Sequence, residues 1–332
     1  MSEETRMGYQ PALDGLRALS VIAVILYHAG VHWIPGGFIG VEVFFVVSGF
    51  LITSLLVDEQ HVSGKVSLKQ FWIRRARRLL PALFTMLIAA LVAVTFFAKD
   101  SAPDFRRDVG PALGYFSNWW QIYFVDTPYF AANSLPMLRH LWSLAVEEQW
   151  YVLWPVAFVF VLGNKRIPRW ISAVVIGLLS AGVMVGTALA FIADDETRIN
   201  FLYLSTLTRS SGLLLGAALA CVWRPWKKVA TKFAKARSVF SDVLALGAFT
   251  TLGYISAVIH VADERLYLGG LAAATFASAV IIAVVVRSGS SLVKEVLSIP
   301  LLVEIGRRSY GLYLWHWPIF VVAGARLSSI RL

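Results

Sequence analysis

The side chains able to do chemistry in this chain are few and regularly spaced. Arg17 and His28 lie eleven positions apart in the run LDGLRALSVIAVILYHAG. On a helix, that spacing returns a side chain to within about 20° of its starting face after a rise of roughly 16 Å. One stripe would thus carry a permanent cation at one end and, at the other, an imidazole that exchanges its proton near neutral pH. Asp14 stands three residues before Arg17, the spacing of an ion pair on a helix surface. Glu42 follows in GGFIGVEVFFVVSGFLIT, at a depth expected to match that of His28. A carboxylate beside an imidazole can fix its tautomer and raise its basicity. The plainer role for His28 is a hydrogen bond between packed helices.

A second set is charged more densely. FWIRRARRLLP places Arg74, Arg75, Arg77 and Arg78 behind Phe71 and Trp72. Such a run anchors a helix on the cytoplasmic side, and guanidinium forks also bind phosphate in bidentate fashion. A nucleotide-bearing donor and an anionic lipid headgroup both suit it. LRHLWSLAVEEQWYVLWP carries Arg139, His140, Glu147 and Glu148. Adjacent helical positions point about 100° apart, so one glutamate is expected to face a cavity. The other would sit at the interface or pair with Arg139. Arg209, inside an apolar segment, needs a partner or an aqueous pocket. Tyr310, Tyr313 and His316 close the chain, with His316 read as structural. Ser48 and Gly49 suit close helix packing. His28 and His32 lack a third ligand of suitable spacing, so no metal is expected.

The elements that must position these groups follow from composition. Hydrophobic residues make up 58% of the 332 residues and charged residues 15%, against roughly 45–50% and about 25% in ordinary globular chains. This excludes a soluble enzyme, a disordered chain and a secreted disulfide scaffold, and Cys221 is the only cysteine. Apolar segments at about 17–35, 38–57, 79–98, 109–125, 142–162, 170–192, 200–222, 239–260, 267–286 and 309–325 approach the length needed to cross a bilayer. They are too long and too uniformly apolar for barrel strands. The expectation is an all-α, polytopic transmembrane helical bundle. The net charge of +10 is then mainly a cytoplasmic-loop bias and does not point to nucleic acid. The basic stretches 58–78 and 223–237, and the loop with Lys165, Arg166 and Arg169, belong inside. The acidic loops holding Asp194, Asp195, Glu196 and Asp263, Glu264 belong outside, and the N-terminus is cytoplasmic. All three basic loops can lie inside only if one segment fails to cross. The weakest is 109–125, with Gly110, Pro111 and Gly114, which leaves nine spans; ten follow if the rule is broken. The first apolar run is read as an uncleaved span, because it lacks a basic leader and a cleavage site.

Five blocks resemble the membrane acyltransferase type 3 family: LDGLRALSVIAVILYHAG, GGFIGVEVFFVVSGFLIT, FWIRRARRLLPAL, LWSLAVEEQWYVLWP and RRSYGLYLWHWP. They occur in the family's order and run from residue 12 to residue 318. The resemblance implies a single integral-membrane domain over residues 1–332, ending one helix short of the family's usual pattern. It implies transfer of an acyl group, expected to be acetyl, from cytoplasmic acyl-CoA as co-substrate, with no bound cofactor. The acceptor would be a hydroxyl of an envelope polysaccharide, peptidoglycan or glycolipid at the outer face of a bacterial inner membrane. The family's Arg–His pair falls on Arg17 and His28, its arginine motif on Arg74, Arg75 and Arg78, and its glutamate on Glu147. Glu42 stands where the family often has Asp. Arg17 and the three arginines are thereby expected to bind the donor, and His28, Glu42 and Glu147 to carry catalysis. The alternative class is a glycan or lipid-linked sugar transporter coupled to protons through a His/Glu site. No inverted repeat supports it.

Overall fold

The computed structural model describes residues 7–125, 129, 136–162, 167–223, 234–287, 289 and 291–330. Among these the regular structure is helical throughout, with no strand. Among the described residues, seven helical stretches are long and apolar enough to cross a membrane. The residues cluster into two compact units, each built from segments that alternate along the chain.

The first unit comprises residues 1–66, 154–191 and 207–309. Its helices are α1 (Pro11–His28) and α2 (Gly40–Ser63). With them belong α7 (Arg169–Ala190), α9 (Thr206–Val222), α10 (Ala234–Val258), α11 (Leu271–Val285), α12 (Leu292–Leu297) and α13 (Pro300–Arg307). Helix α2 is apolar on every side, and a helix of that kind belongs in an interior; Val43 to Val47 and Gly49 to Leu56 are largely buried. Glycines set how closely its neighbours approach. A Cβ on Gly49 would lie 2.0 Å from the Leu213 carbonyl oxygen, and one on Gly216 would lie 2.1 Å from that of Val46. The expected packing role of Gly49 is what the structure shows. Helix α1 is clasped similarly at its start: Cβ atoms on Gly15 and Gly306 would each fall 1.8 Å from a backbone oxygen, of Leu297 and Asp14 respectively.

The second unit comprises residues 67–153, 192–206 and 310–332. It contains α3 (Leu68–Phe96), α4 (Ala102–Leu113), α5 (Ser117–Tyr123) and α8 (Glu196–Leu204). It also holds most of α6 (Trp142–Ala157) and of α14 (Ser309–Ile330). Two boundaries differ from the sequence expectation. Helix α3 begins eleven residues before the expected 79, because arginine is a good helix former and nothing breaks the pattern after Ser67. The four arginines therefore project from helix, on different faces, and do not form a loop. The interval 109–125 contains no single helix. Helix α4 ends at Gly114, and the seven-residue α5 rises only about 10 Å, too little to cross a core of roughly 30 Å.

The expected segment 200–222 is divided at Ser205, whose ψ of 133° is extended, giving α8 and α9. Asp195 caps α8 by accepting from the Arg198 amide at 2.8 Å. Lys165 and Arg166, and Arg224, Lys227, Lys228 and Lys232 of the second basic stretch, lie outside the described residues.

Candidate functional site

In the first unit, Arg17 and His28 lie on the one unbroken helix α1. The stripe read from their spacing is therefore real, with a rise of roughly 16 Å between them. Arg17 holds the predicted ion pair with Asp14, Nη1 to Oδ1 at 3.2 Å. Tyr9 donates to the other oxygen of the same carboxylate at 2.7 Å. That hydrogen bond, first among several causes, raises the Tyr9 pKa above its ordinary value. Pro11 at the first helical position starts α1 without a missing hydrogen bond. His28 is its last residue and half-buried. The imidazole meets Tyr27 edge to face at 4.9 Å, and Tyr27 in turn meets Phe38 at 5.4 Å.

The expected pairing of Glu42 with His28 is not what the structure builds. Glu42, 1% exposed, faces α9 and α11. Its Oε2 lies 3.0 Å from Nη2 of Arg209, which is equally buried. Its Oε1 accepts from the Thr275 hydroxyl at 2.7 Å. Equal depth did not imply contact, because the rotational phase of α2 turns the carboxylate toward other helices. Arg209, which lacked a partner in the sequence, finds it here. Gly212 makes the room: a Cβ there would stand 2.4 Å from Oε1 of Glu42.

In the second unit, a cavity of about 460 Å³ is lined by Trp72, Arg75, Leu79, Tyr115, Glu148 and Tyr151 among others. The Arg75 guanidinium covers the Tyr151 ring, 3.5 Å from its centroid, and feels the charges of both Glu148 and Glu147. Arg74 and Arg78 are exposed on other faces of α3. Of the adjacent glutamates, Glu148 lines the cavity. Glu147, the residue carried over from the family, is half-buried. Gln149 anchors the loop after α4. Its amide nitrogen donates at 2.9 Å to both the Tyr115 carbonyl and Asn118 Oδ1. Its oxygen accepts from Trp119 and Thr206. Tyr115, at φ 52°, is held in the left-handed region. Neither Tyr115 nor Gln149 was singled out in the sequence; a non-glycine left-handed turn has no reliable sequence mark.

The remaining polar groups of this unit form a buried lattice. The side chains of Ser143 and Tyr313 meet at 2.6 Å, and Tyr313 donates to the His140 carbonyl at 2.9 Å. His140 Nε2 lies 3.1 Å from the Leu314 carbonyl, and His316 Nδ1 lies 2.6 Å from that of Tyr313. The structural reading of His316 fits this lattice. Arg139 does not pair with either glutamate. It donates to the Tyr129 carbonyl and stacks on the rings of Tyr129 and Trp317, 4.1 and 5.2 Å from their centroids.

Helices of membrane-crossing length, with buried polar and charged side chains in each unit, define a multi-pass helical membrane protein. A model of the acyltransferase domain matches residues 10–331, and the chain belongs to the membrane acyltransferase type 3 family. It is 40% identical over 315 residues to an O-acetyltransferase OatA of Staphylococcus aureus (strain NCTC 8325 / PS 47), a match covering 94% of this chain and 51% of that protein. It is 39% identical over 317 residues to a peptidoglycan O-acetyltransferase OatA of Listeria monocytogenes serovar 1/2a, covering 95% of this chain and 50% of that protein. The chain thus spans about half the length of the curated relatives it matches. No solved structure matches it.

Proposed function

We infer that this chain acts as a membrane O-acetyltransferase, moving an acetyl group from cytoplasmic acetyl-CoA to a hydroxyl of peptidoglycan or a related envelope glycan on the outer face. Membership of the acyltransferase family and the names of two relatives support the reaction class. The observation that carries the mechanism is the continuity of α1 from Arg17 to His28. A rise of roughly 16 Å compares with the length of the pantetheine arm. Phosphates held near Arg17 would leave the thioester close to His28.

His28 then has two chemically complete roles. As general base it takes the proton of the acceptor hydroxyl while the oxygen attacks the thioester carbon and the thiolate leaves. As nucleophile it takes the acyl group itself and passes it to the hydroxyl in a second step. In either case the imidazole is restored, and the departing thiolate takes up a proton. Arg17, paired with Asp14, would keep donor-binding charge at the end of α1 that this reading puts on the cytoplasmic side. Glu147 keeps the catalytic role that the family resemblance implies for it. Glu42 is assigned to holding helices together, since Arg209 and Thr275 occupy its oxygens.

The test is transfer of labelled acetyl from acetyl-CoA to glycan by purified protein in liposomes. His28→Ala is expected to abolish transfer while melting with the wild-type profile. Wild-type turnover by that variant would reject the assignment. Movement of glycan without a new covalent bond would point to a transporter instead.

A further inference from the structure

In the first unit, α1 ends in a short loop that is fixed at both ends and presents one large ring. Gly30 N–H donates to the Tyr27 carbonyl at 3.0 Å and Val31 N–H to that of Leu26 at 3.1 Å. With Gly30 at φ 73°, this is a Schellman closure. Ile34 N–H donates to the Val31 carbonyl at 3.2 Å, and Gly36 N–H crosses to the Ser256 carbonyl of α10 at 2.8 Å. A Cβ on Gly36 would lie 2.2 Å from the Ile255 oxygen, and one on Gly37 would lie 2.4 Å from that of Ala23. The loop is thus pressed against α10 and α1 together. No part of this frame needs a tryptophan, yet Trp33 stands on it with 59% of its surface exposed.

The surroundings restrict what would cover the ring. Trp33 follows His28 by five residues, at most about 17 Å of extended chain, and the turn from Val31 to Ile34 shortens that. His32 beside it is also exposed. Both imidazole nitrogens take part in hydrogen bonds, so this end of α1 belongs in a hydrated layer outside the hydrocarbon. A ring that only seats a helix in headgroups needs no set distance from another side chain. A ring that receives part of a substrate does, and a rigid loop supplies it without an ordering cost on binding. The face of an indole is electron-rich and apolar. A sugar matches it with a face of C–H groups, while its hydroxyls stay in water.

We propose that Trp33 is a stacking platform for a sugar of the acceptor glycan, a subsite that places a neighbouring hydroxyl at His28. This deepens and rests on the reading of His28 as the centre of transfer to a glycan, and the test separates the two. Full-length protein in liposomes is given labelled acetyl-CoA and a peptidoglycan tetrasaccharide, and binding of the tetrasaccharide alone is measured by calorimetry. Trp33→Ala is expected to raise the KM for the tetrasaccharide about five- to tenfold, with kcat and the KM for acetyl-CoA within about twofold of wild type. Trp33→Tyr, which keeps a flat ring, should retain most of the wild-type KM. Trp33→Leu keeps apolar bulk for a membrane surface but no ring face, and should resemble Trp33→Ala. Tyr254→Ala removes a tyrosine that is 58% exposed on α10, two residues before the loop's anchor at Ser256, and should leave the KM unchanged.

A wild-type KM in Trp33→Ala or Trp33→Leu overturns the platform and leaves the transfer reading standing. An equal loss in Tyr254→Ala makes the ring a membrane anchor and overturns it too. Tetrasaccharide binding that depends on Trp33, in a protein that transfers no acetyl group, keeps the platform and rejects the transfer reading. Neither binding nor transfer rejects both.

Discussion

A carboxylate taken out of water must be met by charge and hydrogen bonds, and Glu42 is met by Arg209 and Thr275. Removing one partner of such a pair costs about 3–5 kcal/mol, whereas replacing both with apolar residues is often close to neutral. Glu42→Met and Arg209→Met should therefore each lower the melting temperature sharply in detergent, and the double variant should recover most of the loss. Simple addition of the two losses would refute the pairing. Gly212→Ala brings a Cβ against Glu42 Oε1 and is expected to cost about 1–3 kcal/mol by overpacking. At this scale the sequence was legible where partners share one helix. The spacing of Asp14 and Arg17 fixes their contact before any tertiary structure exists. Glu42 was not legible in the same way. Its partners lie on α9 and α11, Thr275 being 233 positions away, and no local spacing encodes which face of α2 meets them.

Between residue and molecule, helix ends decide what the second unit's cavity can present. Helix α4 closes with Phe116 N–H on the Pro111 carbonyl at 3.1 Å and Tyr115 N–H on that of Ala112 at 3.3 Å. This is the Schellman pattern, with tyrosine where glycine is usual. A left-handed non-glycine residue costs roughly 1–2 kcal/mol. Comparing Tyr115→Gly with Tyr115→Ala removes the ring in both and isolates the backbone. The glycine variant should be the more stable by about 1 kcal/mol, read from thermal melts. Equal stability would mean that the turn relaxes and strain plays no part. The break in 109–125 was foreshadowed by Gly110, Pro111 and Gly114. The early start of α3 was not, because charged residues were read as loop when arginine is a good helix former. That misreading also concealed the separation of Arg75 from Arg74 and Arg78, which follows from helical phase alone.

Taken whole, the chain declared its class by composition. A fraction of 58% hydrophobic residues left no soluble fold available, and the described regular structure is helical. Orientation is a separate matter of charge bias. With Cys221, which is buried, changed to Ser, Lys65→Cys should react with a membrane-impermeant maleimide only after cells are opened. Thr197→Cys, beside the acidic loop, should react in intact cells. Labelling of Lys65→Cys from outside would invert the proposed topology. What composition could not convey is the interleaving of the two units, since each draws on three separated stretches of chain that contact alone brings together.

That interleaving has a consequence in time. A ribosome delivers α2 well before α9, so Glu42 emerges about 170 residues ahead of Arg209, a delay of roughly 10–30 s at about 5–20 residues per second. For that interval, one of the most deeply buried carboxyl groups of the finished first unit has no guanidinium to meet it. Until its counter-charge is made, the carboxyl stays neutral by keeping its proton, and the ion pair forms only once α9 arrives. The order of synthesis thus sets the order of assembly: a chain interrupted before α9 carries Glu42 in an apolar helix without the guanidinium that meets it in the folded protein.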